Sequence, residues 1–531
     1  MTDTGTNNEN NGGIDAIQAL LANAEPVPDI GEADPFEVKC ARYAQNDFGN
    51  GERLRARYGR DLMFVRDIGW HAWVQTHWSA REGERMAIIF AQETAKAILD
   101  EAKHLKVELI VTEQYLIGDG EPARGSTEDR RVARLLAWAL KSGDIGKSRN
   151  MLDAAQPYLT AKVDDLDADP YLFNVQNGTL HLKAFGPDGT AVVLKKHSRK
   201  NRITKLAPVV YDQDADCEVF HKFLESTLPD QTVAGFMQVY SGYGLTGDVS
   251  ERKLVMALGV GSNGKSTLIG AIAGVMGDYA MSLPIASLMS NDRGKSGSDA
   301  SPDLAQLPGA RMVSCAEPER GAKFSEGLIK QMTGGTDMMK VRHLNQGFFE
   351  FLPTHKLFIS MNLKPLIRGQ DQGIWDRIAL VMFGQRFEGA GKDKTLPDKL
   401  KAERSGILNW LVDGFRVWNE RGLEVPAAVT AATEEYRSES DKVGQFIAAA
   451  LVRAKGKNVN AKRLYDAFTR WCKLNAEDPM TNTAFGRALG ERGYHKEKVG
   501  IMFYVDIDLV DDFLDAQVGA LDAPPHDGDG R

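Results

Sequence analysis

Gly259-Val-Gly-Ser-Asn-Gly-Lys-Ser266 is a glycine-rich loop that closes on Gly-Lys-Ser, and its flanks decide the fold class. The run before it, Lys253-Leu-Val-Met-Ala-Leu258, reads as a strand buried in a parallel sheet, and Thr267-Leu-Ile-Gly-Ala-Ile-Ala-Gly-Val-Met276 reads as the helix that follows. Strand, glycine turn and helix in that order are what a phosphate-binding loop requires. Closely spaced glycines let backbone N–H groups turn inward around a polyphosphate. Lys265 then reaches the β/γ oxygens, and Ser266 is placed to ligate magnesium. The expected nucleotide contacts are Gly259, Val260, Gly261, Ser262, Asn263, Gly264, Lys265, Ser266 and Thr267.

Such a loop needs an acidic element at the end of a neighbouring strand, to hold magnesium and polarise water. Ala310-Arg-Met-Val-Ser-Cys-Ala-Glu-Pro-Glu319 supplies one, with Glu317 at the tip of a short buried strand about fifty residues after Lys265 and Glu319 as a second carboxylate. A third strand, His355-Lys-Leu-Phe-Ile-Ser-Met-Asn362, ends in an amide. Asn362 is either a sensor of the γ-phosphate or a strand-end turn residue. Arg368 and Arg377 follow in Ile367-Arg-Gly-Gln-Asp-Gln-Gly-Ile-Trp-Asp-Arg377, and a guanidinium forks well onto phosphate oxygens as charge develops. Between Glu317 and Asn362 the sequence predicts a helix, a Gly-Gly break and two strand-like runs with Lys340, Arg342 and His343 near their turn. A basic hairpin of this kind grips a phosphate backbone if it faces a channel.

These elements, in this order, resemble the superfamily 3 helicases of the AAA+ class, and specifically the phage, plasmid and poxvirus primase-helicase family. The likeness rests on Gly259–Ser266, Ser314–Glu317, Thr333–Asp337 through His343, Pro353–Asn362 and Gly373–Arg377, and extends upstream through Asn174–Leu182, Tyr211–Cys217 and Gly242–Asp248. The resemblance implies an α/β fold with a P-loop AAA+ core around a central parallel sheet. An α+β helicase-associated domain precedes that core. It further implies ATP with Mg2+, a homohexameric ring on single-stranded and forked DNA, and Glu317 and Ser266 as metal contacts. Glu317 and Glu319 are then the acids, Asn362 the sensor, Arg377 the finger supplied to a neighbouring subunit, and Lys340, Arg342 and His343 the DNA-tracking hairpin. Two departures stand out: the family's Thr-Gly-Gly-Asp is here Thr333-Gly-Gly-Thr-Asp337, and Pro318 separates the two acids.

The chain has 531 residues, room for three to four domains, and a net charge of −8 that argues against coating nucleic acid by bulk electrostatics. DNA contact is expected from local basic groups in a confined place. Cys40, Cys217, Cys315 and Cys472 show no paired ligand spacing and read as reduced core thiols. With no signal peptide and no apolar run long enough to span a bilayer, a soluble intracellular protein is expected, and the resemblance implies a bacterial cytoplasm and a phage or plasmid origin.

The segments read as a flexible arm (1–35), the helicase-associated domain (36–205), a helical linker (206–250), the ATPase core (251–388), a helical lid (389–425), a last domain (426–514) and an acidic tail (515–531). In the helicase-associated domain Trp70, Trp73 and Trp78 either stack bases or form the core of a small sheet. The basic run Lys195 to Lys205 is a solvated loop or a backbone contact. In the last domain three helices (443–454, 461–475, 481–492) and a strand pair about Gly500 predict a winged helix. That module either docks protein or meets DNA through Asn482, Arg487, Arg492, Lys496 and Lys498. With so short a segment ahead of the helicase-associated region and no zinc spacing, primer synthesis is assigned to a separate primase. Two other readings share these motifs: an origin-binding initiator using ATP as an assembly switch, and a P-loop motor for another DNA task.

Overall fold

The computed structural model describes residues 32–66, 68–117, 127–183, 192–290, 302–318, 321–342, 347–367, 369, 371–388 and 393–510. The expected arm and tail, together with Glu319, His343 and Arg368, lie wholly or largely outside them. Contacts divide the chain into two compact units. One holds the described residues up to Leu166 with Ser198–Thr204; the other holds Asp167–His197 and everything from Lys205.

In the first unit, helices α1 (Pro35–Ala41), α2 (Asp47–Tyr58), α3 (Ala80–Ile117), α4 (Thr127–Ser142) and α5 (Ile145–Ala155) accompany a four-stranded sheet. Its strands β1 (Leu62–Val65), β2 (Gly69–Trp73), β3 (Trp78–Ser79) and β4 (Thr160–Ala161) run in the order β3-β2-β1-β4. Trp70, Trp73 and Trp78 are all buried, and the rings of Trp73 and Trp78 meet edge to face at 5.8 Å. The aromatic cluster is therefore sheet core, with no face left for a base. The basic run is partly neutralised in place, Arg199 pairing with Asp61 at 2.6 Å and Arg202 with Asp165 at 3.0 Å.

The second unit opens with a three-stranded antiparallel sheet, β5 (Leu172–Val175), β6 (Gly178–His181) and β7 (Val193–Lys195), whose first turn is the expected Asn-Gly hairpin. Two helices follow, α6 (Glu218–Thr227) and α7 (Gln231–Tyr243), before strand β8 (Leu254–Leu258) and helix α8 (Lys265–Met276). With β9 (Ala280–Leu283), β10 (Met312–Ala316), β13 (Lys356–Met361) and β14 (Ile378–Met382), β8 forms a five-stranded, wholly parallel sheet in the order β14-β8-β13-β10-β9. All five residues of β8 and all six of β13 are buried, as strands of a covered parallel sheet should be, although β13 carries Lys356 and Ser360 among its apolar residues.

Outside that sheet lie α9 (Glu326–Thr333), the hairpin β11 (Met339–Val341) and β12 (Phe349–Phe351), and the short α10 (Gln372–Trp375). The segment expected as a lid holds α11 (Leu396–Ala402) and α12 (Arg404–Arg421). Trp410, Leu411 and Phe415 of α12 are buried, and α12 approaches α7 so closely that a Cβ on Gly242 would sit 2.2 Å from the Phe415 nitrogen. After Pro426, α13 (Ala427–Ser440) lies against β14, its Thr433 hydroxyl accepting the Leu380 N–H at 3.1 Å.

The last elements are α14 (Lys442–Ala450), β15 (Leu451–Asn460), α15 (Ala461–Leu474), α16 (Asn482–Glu491), β16 (Lys496–Val499) and β17 (Ile501–Leu509), with strand order β15-β17-β16. The helix expected over 443–454 thus stops at Ala450. Residues 451–460 are instead a third strand, paired to β17 with an irregularity between Arg453 and Asn458, where Gly456 takes φ +81°. The polar Lys455-Gly-Lys-Asn458 stretch breaks the alternation by which a strand is read.

Candidate functional site

The loop after β8 has the backbone its glycines permit: Gly261 and Gly264 take φ +96° and +82°, and Ser262 joins them at +48°. A Cβ on Gly264 would also stand 2.7 Å from the Thr227 methyl. Gly264 is the N-cap of α8 and brings no side-chain hydrogen bond, so the first N–H groups of that helix keep the anion-binding character of a helix start.

Lys265 is 4 % exposed and directs its three donors at the Gly259 carbonyl (2.6 Å), Asn263 Oδ1 (2.8 Å) and Asn362 Oδ1 (3.2 Å). Burial pulls its ammonium below the ordinary lysine value, and the nearby charge of Glu317 opposes that pull. Asn362 turns its amide nitrogen to Glu317, donating to Oε1. Strand register explains the meeting. β13 lies between β8 and β10, with Met361 level with Leu258 and Ser360 level with Ala316, so the residues just past the three strand ends converge. Asn263 ties the loop to the next strand as well, donating to the Phe383 carbonyl at 3.1 Å.

Ser266 and Glu317 are exposed oxygen donors, a hard set suited to magnesium held mainly through phosphate oxygens. The one group of potential ligands found together among the described residues is Asp216, Cys217 and His221 at the start of α6. There Asp216 accepts the Cys217 N–H, and burial, aided by Glu403, Asp216 and Asp413, pushes the thiol up to about 12. It is a protonated core thiol.

A cavity of about 580 Å³ adjoins the loop, lined by Phe223 and Lys222 of α6, Phe387, Leu396 and Pro397, with Gly264 and Thr267 at its loop side. An apolar wall beside an anion-binding helix start accommodates a flat base next to its phosphates. These residues come from stretches far apart in sequence, and no motif spacing marks them.

Arg377 is not brought to this cluster. It precedes β14, where Ile378 is level with Leu254, so it sits at the opposite end of the sheet, about 13 Å of strand from the loop. Its Nε donates to Thr333 Oγ1 at 3.1 Å and its Nη1 to the Gly373 carbonyl. The hairpin forms as the sequence predicts, with Lys340 opposite Glu350. The extra residue of Thr333–Asp337 falls in the connection between α9 and β11. Lys340 and Arg342 both lie over the ring of Phe348, at 5.3 and 4.9 Å, an aromatic the sequence reading passed over.

In the last domain Asn482, Arg487, Lys496 and Lys498 are exposed. Arg492 differs: it pairs with Asp441 at 2.7 Å and donates to the Ala488 carbonyl, which commits its charge within the domain.

Residues 51–229 match the D5 N terminal like family. The chain is 29 % identical over 334 residues to a candidate helicase of Acanthamoeba polyphaga mimivirus, covering 59 % of this chain and 34 % of that protein. To a candidate helicase of Frog virus 3 it is 26 % identical over 272 residues, 48 % of this chain and 28 % of that one. To a candidate primase of African swine fever virus it is 21 % identical over 337 residues, 59 % and 34 %. The chain is thus similar to the D5 N terminal like family over residues 51–229 and, over about half its length or more, to viral proteins described as candidate helicases and primases. The chain spans about a third of the length of the curated relatives it matches. A solved structure, the apo C-terminal region of NrS-1, is similar at TM-score 0.37 and 13 % identity, covering 57 % of this chain and 77 % of that one.

Proposed function

We propose that the protein is an ATP-dependent DNA helicase of the superfamily 3, AAA+ type, acting in phage, prophage or plasmid replication as a ring, a hexamer by family resemblance. The observation that carries this reading is the meeting of Lys265, Asn362 and Glu317 at one end of the sheet while Arg377 stands at the other. In one subunit the loop would hold the triphosphate of ATP, with Mg2+ on Ser266 and the phosphates. Lys265 would exchange its present acceptors for phosphate oxygens, Asn362 would report the γ-phosphate, and Glu317 would orient the attacking water. Arg377 lies too far to serve its own loop, which supports the reading that it would complete the site of a neighbour.

The sheet order β14-β8-β13-β10-β9 supports the AAA+ reading, since the strand carrying Asn362 lies between the loop strand and the acidic strand. Lys340 and Arg342 beside Phe348 offer charge and a ring to single-stranded DNA in the channel. A small cationic ring within a narrow pore accords with a chain of net charge −8. The last domain, three helices with a three-stranded sheet, is read as a winged helix presenting Arg487, Lys496 and Lys498 to DNA.

The test is unwinding of a forked duplex, with ATP hydrolysis measured alongside, by wild type, Lys265→Ala, Arg377→Ala and the two variants mixed. Each variant alone should be inactive, and the mixture should regain hydrolysis at hybrid interfaces. Unwinding by Lys265→Ala would overturn the mechanism, and a mixture as inactive as its parts would overturn the shared site.

A further inference from the structure

Three side chains of α9, at the spacing of one helix face, each hold the segment that carries Arg377. Glu326 Oε1 accepts the Gly369 N–H at 2.8 Å, Lys330 pairs with Asp371 at 2.8 Å, and Thr333 Oγ1 accepts Arg377 Nε at 3.1 Å. Ile329 and Met332, on the other side of the helix, are buried in the core of the parallel sheet. The Thr333 hydroxyl donates its own proton to the Ile329 carbonyl at 2.7 Å, which leaves its oxygen lone pairs for the guanidinium. Lys330 in turn holds the Asp371 carboxyl below the usual carboxylate range.

The same helix runs directly into the hairpin. Past Thr333 the chain needs only residues 334–338 to reach β11, and Gln331 Nε2 donates to the Met338 carbonyl at the foot of that strand, 2.9 Å away. One helix of eight residues is therefore fastened along one face to the arginine segment and at its end to the basic hairpin.

We propose that α9 is the coupling element between DNA and hydrolysis, with Thr333 as the positioning residue that sets Arg377 according to the position of the hairpin. This rests on the helicase reading above. DNA seated on Lys340 and Arg342 shifts the hairpin, α9 moves with it, and the Thr333 hydrogen bond carries the shift to the guanidinium that enters the neighbouring site. Coupling through one packed helix requires no path through the arginine's own nucleotide.

The test compares wild type, Thr333→Val and Thr333→Ser for the kcat and KM of ATP hydrolysis with and without single-stranded DNA, and for DNA affinity. Valine keeps the shape and removes the acceptor; serine keeps the acceptor. Thr333→Val should lose about tenfold in DNA-stimulated kcat, the loss expected for one hydrogen bond to a charged group, with KM and DNA affinity within about twofold of wild type. Thr333→Ser should restore stimulation. A second pair, Lys330→Asp and Asp371→Lys, should each reduce stimulation and together recover it. If wild type is stimulated by DNA and Thr333→Val is stimulated equally, the coupling is overturned alone. An equal loss with and without DNA also overturns it, because Thr333 would then merely brace the arginine. A wild type without DNA-stimulated hydrolysis overturns the helicase reading and the coupling with it.

Discussion

Two lysines at opposite ends of the parallel sheet are almost equally buried, Lys265 at 4 % exposure and Lys356 at 1 %, and desolvation draws both below the ordinary lysine value. Their surroundings separate them. Lys265 stands past the carboxyl end of β8 and is held by a loop carbonyl and two side-chain amides, acceptors that can be exchanged for phosphate oxygens. Lys356 opens β13 at the other end. There it donates to the Thr246 carbonyl at 2.5 Å and lies over the Tyr243 ring at 4.3 Å, beside a buried Arg311 that donates to the Pro170 carbonyl at 2.7 Å. Burial and a shifted pKa do not tell a working lysine from a structural one; the replaceability of its partners does. Ligands of open α/β sheets gather outside the carboxyl ends of the strands, the end at which Lys265 and not Lys356 stands.

The largest expected effect breaks the pair apart. Lys265→Ala should lower ATP hydrolysis by about a hundredfold or more, as removal of a donor aimed at developing charge does, and leave the melting temperature near that of wild type. Lys356→Ala should do the reverse, costing roughly 3 kcal/mol of stability through a cavity and unpaired carbonyls while hydrolysis per folded molecule holds. Calorimetry and a coupled ATPase assay on both variants read the two axes together. Two similar profiles would mean that the ends of the sheet are not functionally distinct.

Glu317→Gln sharpens the first arm. The amide keeps the shape at the strand tip and removes the negative charge beside Lys265. Hydrolysis should fall by about tenfold to a hundredfold while nucleotide affinity, followed by a fluorescent analogue, stays within about threefold. Equal loss of affinity and turnover would make Glu317 a binding group and remove it from the water-activating role.

Much of the carboxyl end was legible because its residues sit inside motifs whose spacing records strand, turn and strand tip: Gly259–Ser266, Glu317 and Asn362 each close a run of apolar residues. The cavity beside them was not. Phe223, Phe387 and Leu396 meet only because α6 and the chain after β14 fold back toward the loop, and an isolated phenylalanine carries no sign of such a meeting. The fastening of Arg377 by α9 was hidden for a similar reason. Glu326, Lys330 and Thr333 look in sequence like the polar face of any amphipathic helix, and their partners lie some forty residues on. In the last domain β15 escaped notice because Lys455-Gly-Lys-Asn458 lacks alternation, and its strand character comes from pairing with β17. Pro426 reads in sequence as the opening of the last domain, yet α13 beyond it packs on β14 through Thr433, a tertiary contact that no local signal announces.

The remaining effect concerns the structural end and depends on pH. His355, one residue before Lys356, is 2 % exposed, and neither ring nitrogen finds a hydrogen-bond partner. Burial first, then the neighbouring Lys356 charge, push its pKa down from 6.5 to about 3. Between those values the unfolded chain binds a proton that the folded chain refuses, so stability is lost as pH falls through this window, by roughly 1.4 kcal/mol per pH unit at most. His355→Leu removes the titrating ring and should flatten the acid limb of the melting curve between pH 6.5 and pH 4 relative to wild type, with little change at pH 8. Lys356 is present in both proteins, so the difference between the two curves reports the imidazole. Parallel curves would mean that His355 takes up its proton in the folded state, and that the amino end of β13 opens to water more readily than its burial implies.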